Sequence, residues 1–240
     1  MSAGAIILGI SIIIFCYILY IYMTKQDTYI ISSVTDINTA GTFNDLKYMP
    51  VNNTFAYGIW LYVNNWNAGS IKNIFSFNGG NGNVISIYLE SNNADLKITA
   101  PGISNPTSKS TLGPSSNKDT ISNSVTIASN FPLQRWVFII VSLDGQYLDI
   151  YLDGKLVKSI LLSKIMTINS NNSSSIVVGS FPSATDAFVT YFNVWKQNSM
   201  DPGLAWKYYM KGNGMSSLNG YGVDLQLLQN NAVQSSYRLF

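Results

Sequence analysis

Groups able to carry acid, base or nucleophilic chemistry are scarce in this chain. It has no histidine, which excludes a Ser-His-Asp triad, a Cys-His pair and any His-ligated metal. Its one cysteine, Cys16, lies within an apolar run and is out of reach of a soluble site. Glu90 is the only glutamate, and its neighbours Leu89, Ser91 and Asn92 supply no second carboxylate. Four aspartates could be paired on paper: Asp144, Asp149, Asp153 and Asp186. Asp144 and Asp153 are each followed by glycine, however, and read as turn residues. No Gly-x-x-x-x-Gly-Lys-Ser/Thr loop occurs, and the glycines at 79–82 read as a turn more simply than as a phosphate cradle. The expectation is a protein that is not an enzyme.

Binding chemistry is better supplied. Trp66 stands in the polar run Asn64-Asn65-Trp66-Asn67 and is the best candidate among the tryptophans for a ring that stacks on a sugar or partner, with Asn64 and Asn67 as hydrogen-bonding neighbours, although packing against the sandwich edge is the favoured reading for a tryptophan there. Trp60 and Trp136 lie in strongly apolar runs and are expected in the core. Lys109 and Lys118 sit in a polar stretch, 101–123, punctuated by Pro101, Pro106 and Pro114, which reads as a long surface loop suited to partner contact. With 11% charged residues and a net charge of +2, the chain has no electrostatic footprint for nucleic acid.

These residues need a platform, and the sequence offers a membrane as its base. From Ala3 to Met23 there is no charged side chain, and Lys25 is the first. A helix of about 20 such residues rises about 30 Å, the thickness of a bilayer's hydrocarbon core. Residues 1–24 are therefore expected to form a single transmembrane anchor, with Ala3, Ile7, Ile12, Phe15, Tyr20 and Met23 among the lipid-facing positions. Tyr20 and Tyr22 stand where an aromatic belt would meet the headgroups. A cleaved signal is disfavoured, because the N-terminus lacks Lys or Arg and the apolar core runs into tyrosines. Lys25, and the lack of any cysteine beyond Cys16, lean toward a cytoplasmic-facing domain. Sequons at Asn52, Asn171 and Asn172 would matter only on the luminal side.

Residues 25–50 read as a stem, and 51–240 as one β domain. The run 55–63, FAYGIWLYV, is aromatic and β-branched and reads as a buried strand, followed by strands at 71–77, 84–89 and 96–99. Between Arg135 and Leu162, two Asp-Gly pairs at 144–145 and 153–154 divide a three-stranded meander. In its middle strand Leu148, Ile150 and Leu152 oppose Tyr147, Asp149 and Tyr151. Strands are also expected at 176–178 and 187–195, and a short helix capped by Ser199 or Asp201 should stop at Gly212. Segments 222–228 and 233–240 read as late strands closing the sandwich. Many short strands with hairpin turns argue an all-β sandwich.

The succession of FAYGIWLYVNNW, IFSF, ISIYLE, PLQRWVFIIVSLDGQYLDIYLDGKLV, IVVGS and DPGLAWKYYMKGNG resembles the laminin-G-like branch of the concanavalin A-like lectin/glucanase superfamily over Thr54 to Gly214. The resemblance implies an antiparallel two-sheet jelly roll, here preceded by the anchor helix. Glycosidases of that fold use a carboxylate pair, in one large branch within a Glu-x-Asp-x-x-Glu type strand, which Glu90 does not provide, so glucanase activity is not expected. Calcium, bound by some laminin-G-like domains, is the one ion worth weighing. Asp186 with Ser183 and Thr185, or Asp95 with Asn92 and Asn93, could supply oxygen ligands, but neither forms a cluster in sequence and solvated loops explain both. No other cofactor is expected.

Anchor, stem and the long motif together also resemble membrane-associated virion proteins of large DNA viruses. That resemblance implies a minor capsid component linking an internal virion membrane to a capsid shell, with virion proteins and lipid as partners. The alternative is a membrane-tethered lectin with glycan partners.

Overall fold

The computed structural model describes residues 3–24, 28–80, 84–103, 124–166, 168, 174–179, 181, 185–214, 224–229 and 232–238. Side chains are described in the first helix for 9–19 only, and not in the last two strands. Lys109 and Lys118 lie outside the described residues.

Helix α1 (Ala3–Thr24) leads into β1 (Thr28–Ile31), β2 (Thr35–Asp36), β3 (Gly41–Phe43), β4 (Thr54–Val63), β5 (Lys72–Asn78), β6 (Val84–Leu89), β7 (Leu96–Thr99) and β8 (Ser124–Ala128). The chain continues through β9 (Trp136–Asp144), β10 (Tyr147–Leu152), β11 (Lys155–Leu161), β12 (Ser175–Val178), β13 (Ala187–Trp195), α2 (Pro202–Met210), β14 (Asp224–Gln229) and β15 (Ala232–Arg238). One sheet runs β1-β13-β4-β9-β10-β11 with β2 also on β13, and the other runs β3-β12-β5-β6-β7-β8. All pairings are antiparallel, giving the two-sheet sandwich expected from the strand pattern.

Alternation explains the core. Inward residues of β4 (Phe55, Tyr57, Ile59, Leu61, Val63) meet those of β5 and β6 (Phe75, Phe77, Ile85, Ile87) in one buried cluster. The Tyr57 hydroxyl donates to the Tyr48 carbonyl at 3.2 Å, and burial pushes its pKa well up. Strands β4 and β9 are apolar on both faces because the outer face is also covered. Ala56, Trp60, Phe138, Ile140 and Tyr151 form a second core under Met200 and Ala205. Trp60 is thus buried as expected, but in this second core. Its ring stacks on Phe138 at 4.9 Å and on Tyr209 at 5.6 Å, both at 20°.

Asp201 starts α2, its carboxylate accepting from the Leu204 N–H at 2.9 Å with Pro202 in the first turn. The preceding residue is pinned twice: Met200 N–H donates to Ser142 Oγ at 2.8 Å, and Tyr151 O–H donates to the Met200 carbonyl at 2.7 Å. Desolvation, with the Asp149 and Asp201 charges, pushes the Tyr151 phenol up to about 12.

Three expectations need correction. Within the expected stem 25–50, residues 28–50 instead belong to the sandwich, because β1 and β2 join β13 while β3 joins β12, burying Ile30, Ile31, Ile37 and Met49. The segments β14 and β15 pair with each other in a separate two-stranded sheet and do not extend either sandwich sheet. The transmembrane part of the expected fold is met only by a 22-residue helix, α1. Among the described residues no helix is long and apolar enough to cross a membrane, side chains in α1 being described only over 9–19. Ile12 and Phe15 are exposed on it.

Candidate functional site

The loop that carries Asn64, Trp66 and Asn67 is largely occupied by its own contacts. Asn64 donates its amide to Asp186 Oδ2 at 2.8 Å, and Asn65 Oδ1 accepts from the Asp186 N–H at 2.6 Å. Trp66 is half-buried, and the Lys72 ammonium sits 3.9 Å over its ring. Lys72 is itself buried, donating to the Ser70 carbonyl at 3.0 Å, and burial lowers its pKa. One face of the Trp66 ring is therefore taken. Asn67 is exposed on the same loop.

Asp95 and Asp153 are similarly committed, whereas Asp149 keeps a buried Oδ1 without a hydrogen-bond partner. Asp95 accepts from the Asn130 N–H at 3.1 Å, and Asp153 accepts from the Phe138 N–H at 3.0 Å and from Arg135 at 2.8 Å. Ser183, the neighbour invoked for calcium, lies outside the described residues. Among the described residues no three His, Cys, Asp or Glu side chains come together as a metal site would require.

A different constellation appears on the outer face of the six-stranded sheet. The registers align Thr42 with Val177, Val177 with Ser76, Ser76 with Ser86, Ser86 with Thr99 and Thr99 with Ser124. One row crossing all six strands thus carries a hydroxyl on every strand but one. The neighbouring row aligns Asn73, Tyr88, Lys97 and Thr126. Small side chains in the first row leave an open trough of about 570 Å³ lined by Ile71, Asn73, Ser76, Ser86, Tyr88, Thr99 and Val177.

The polar groups of the trough are held in place by one another. Asn73 Oδ1 accepts from Ser76 Oγ and from Ser86 Oγ, both at 2.9 Å, while its amide donates to the Gly179 carbonyl at 3.1 Å. The two serine hydroxyls lie 2.7 Å apart. Beside them, Glu90 and Lys97 form an ion pair. Its hydrogen bond holds the Glu90 carboxyl below the usual range and raises the Lys97 ammonium. A rigid sheet with preset donors and acceptors costs little to order on binding.

None of these trough residues was singled out in the sequence. The signal was present as alternation: in NIFSF, VISIYL and LKIT the residues between the buried apolar positions are Ser76, Ser86, Tyr88, Lys97 and Thr99. Only the registers show that they share a row.

Residues 35–198 match the concanavalin A-like lectin/glucanases superfamily through its Laminin_G_3 family. The chain belongs to that superfamily. No curated protein matches its sequence. Among solved structures, this laminin-G-like chain is similar to the binding domain of botulinum neurotoxin serotype D, with 9% identity and a TM-score of 0.52 over 78% of this chain and 45% of that one. It is also similar to the serotype G binding domain, with 15% identity and a TM-score of 0.51 over 75% and 45%. The chain spans less than half the length of those structures, and at such identity the likeness shows the fold alone.

Within this superfamily member, the most specific stretch of sequence is structural. Arg135 and Asp153, at the two ends of the PLQRW to DG motif, bind each other, tying the start of β9 to the turn that joins β10 to β11. The motif therefore holds the sandwich together.

Proposed function

We propose that this protein is a membrane-tethered, non-catalytic carbohydrate-binding module whose ligand lies in the trough on the six-stranded sheet. The observation that carries the reading is the cross-strand row of hydroxyls, fixed by Asn73 and bordered by Tyr88. Sugars present dense hydroxyls on a flat ring. A shallow, uncharged row of donors and acceptors beside one aromatic side chain complements such a ring. Apolar α1 supplies the tether, as a single-pass anchor that places the sandwich at the bilayer surface. A glycan ligand requires the sandwich to face the compartment that displays glycans, which protease protection of oriented membranes would test. The lack of a carboxylate pair at the trough fits binding without hydrolysis.

The viral and capsid expectation has no support from the comparisons, and the two similar structures described above are toxin binding domains.

The test is a glycan array probed with the full chain in nanodiscs, followed by titration of any hit against Ser86→Leu. Leucine at that position fills the trough and should abolish binding; it also removes the half-buried Ser86 hydroxyl from Asn73 and Ser76, so a modestly lower unfolding midpoint, with a cooperative transition retained, is expected. Saturable binding that survives Ser86→Leu, or no binding to any glycan, rejects the trough as the site.

A further inference from the structure

The two outer faces of the sandwich differ in character. The face with the hydroxyl row carries a hydroxyl on five of its six strands, with Ile71 and Val177 beside them, whereas the outer face of the seven-stranded sheet exposes larger apolar and aromatic groups in two adjoining places. The first is the outward side of α2, where Trp206 is 45% and Met210 65% exposed, with Lys207 and Lys211 also exposed between and beyond them. The second is a hollow of about 350 Å³ lined by Val34, Tyr62, Trp136 and Phe188. Tyr62 and Trp136 pack with ring centroids 5.5 Å apart, and Trp136 also packs against the cluster beneath α2, so both places belong to one side of the molecule.

We infer that this side, α2 together with the Tyr62–Trp136 hollow, is a docking surface for the lipid bilayer, so that the sandwich lies on the membrane instead of standing off from it. The inference rests on the anchor reading of α1. Only residues 25–27 separate α1 from β1, and β1 is an edge strand of the same seven-stranded sheet. Four Cα steps reach at most about 14 Å, so a sandwich on this tether cannot leave the interface. Some face of it must meet headgroups at all times. Tryptophan and tyrosine, with apolar bodies and a polar tip, favour that zone, and lysines beside exposed apolar residues on one short helix add attraction to anionic lipid. The polar trough is then turned to the aqueous side.

The experiment reconstitutes the full chain into phosphatidylcholine vesicles with and without phosphatidylserine, each containing a photoreactive phospholipid. Flotation reads the anchor, and mass spectrometry reads which residues the lipid labels. The expected result is flotation with label on α1 and on α2 and the hollow, enhanced by phosphatidylserine. Trp206→Glu and, separately, the more exposed Met210→Glu should each lower the α2 label by about fivefold or more without affecting flotation. Because Met210 is largely solvent-facing, that variant keeps the test valid should Trp206→Glu perturb folding. Flotation with label confined to α1, or spread equally over the six-stranded sheet, overturns the docking surface and leaves the anchor standing. Failure to float overturns the anchor and the docking surface with it.

Discussion

Asp153 concentrates three separable interactions in one side chain, which makes it the position where the structure can be tested most sharply. Its backbone lies in the left-handed region at φ 48°, its Oδ1 accepts from the Phe138 N–H at 3.0 Å, and its Oδ2 accepts from Arg135 at 2.8 Å. Alanine loses all three. The left-handed conformation costs alanine about 1–2 kcal/mol where Asp, Asn and Gly are tolerated. Losing the acceptor strands a partly buried N–H for about 1–3 kcal/mol. An ion pair to the largely exposed Arg135 adds only about 0.2–1 kcal/mol. Asp153→Ala should therefore cost about 3–4 kcal/mol. Asp153→Asn keeps the backbone and the acceptor and should cost about 1 kcal/mol or less. Asp153→Gly keeps only the backbone and should fall between, near about 2 kcal/mol. Urea unfolding of the three variants, followed by tryptophan fluorescence, reads the order directly. If asparagine costs as much as alanine, charge and not hydrogen-bond geometry holds this turn, and the ranking of the three interactions is refuted.

Trp60→Ala removes a ring stacked on both faces between β9 and α2 and should cost about 3–5 kcal/mol, with early loss of protection in α2 by hydrogen exchange. The Lys72 ammonium is buried with a lowered pKa, so between that pKa and 10.5 the unfolded chain holds more protons than the folded one, and stability should rise with pH across that window. Urea midpoints measured from pH 7 to pH 10 should show this gain in the native protein relative to Lys72→Met, and parallel profiles would exclude it. Lys97 has the opposite sign: its pKa is raised by Glu90, so its contribution is present below 10.5 and lost as pH passes its folded value. Calcium or a chelator should leave the melting temperature unchanged, because the carboxylates of Asp95 and Asp186 are already taken up by neutral donors; a shift of several degrees would reinstate a calcium site.

Sequence made legible what is local. The Asp-Gly pairs mark both hairpins, but they act differently. At the second, Asp153 and Gly154 both have positive φ, as a type I′ turn requires, whereas at the first Asp144 closes β9 opposite Tyr147 and Gly145 alone is positive. The helix cap at Asp201 and the double-sided apolarity of β4 and β9 are equally local. Hidden were the elements whose reason lies far along the chain. Strands β1 to β3 are short and polar in context, and they exist because β12 and β13, more than a hundred residues later, offer edges to pair with. The trough is the extreme case, since each strand contributes one ordinary serine or threonine and only register makes a row.

The same register bears on which way the sandwich can lie. Turning the six-stranded face toward lipid would press the Ser76, Ser86 and Thr99 hydroxyls, the Asn73 amide and the Glu90–Lys97 pair against headgroups and acyl chains. The internal network satisfies part of that polar inventory, because Asn73 Oδ1 takes both serine hydroxyls. The remaining lone pairs, and the ion pair above all, would lose water without gaining partners, at a cost of about 1–3 kcal/mol for each neutral group. The opposite face bears the exposed Trp206 and Met210, whose transfer out of water is favourable at about 25 cal/mol per Å². The asymmetry between the two faces therefore favours the orientation that leaves the hydroxyl row open to solvent. A ligand in the trough and a bilayer under α2 can then be engaged together, and trough variants should alter glycan binding without changing lipid labelling.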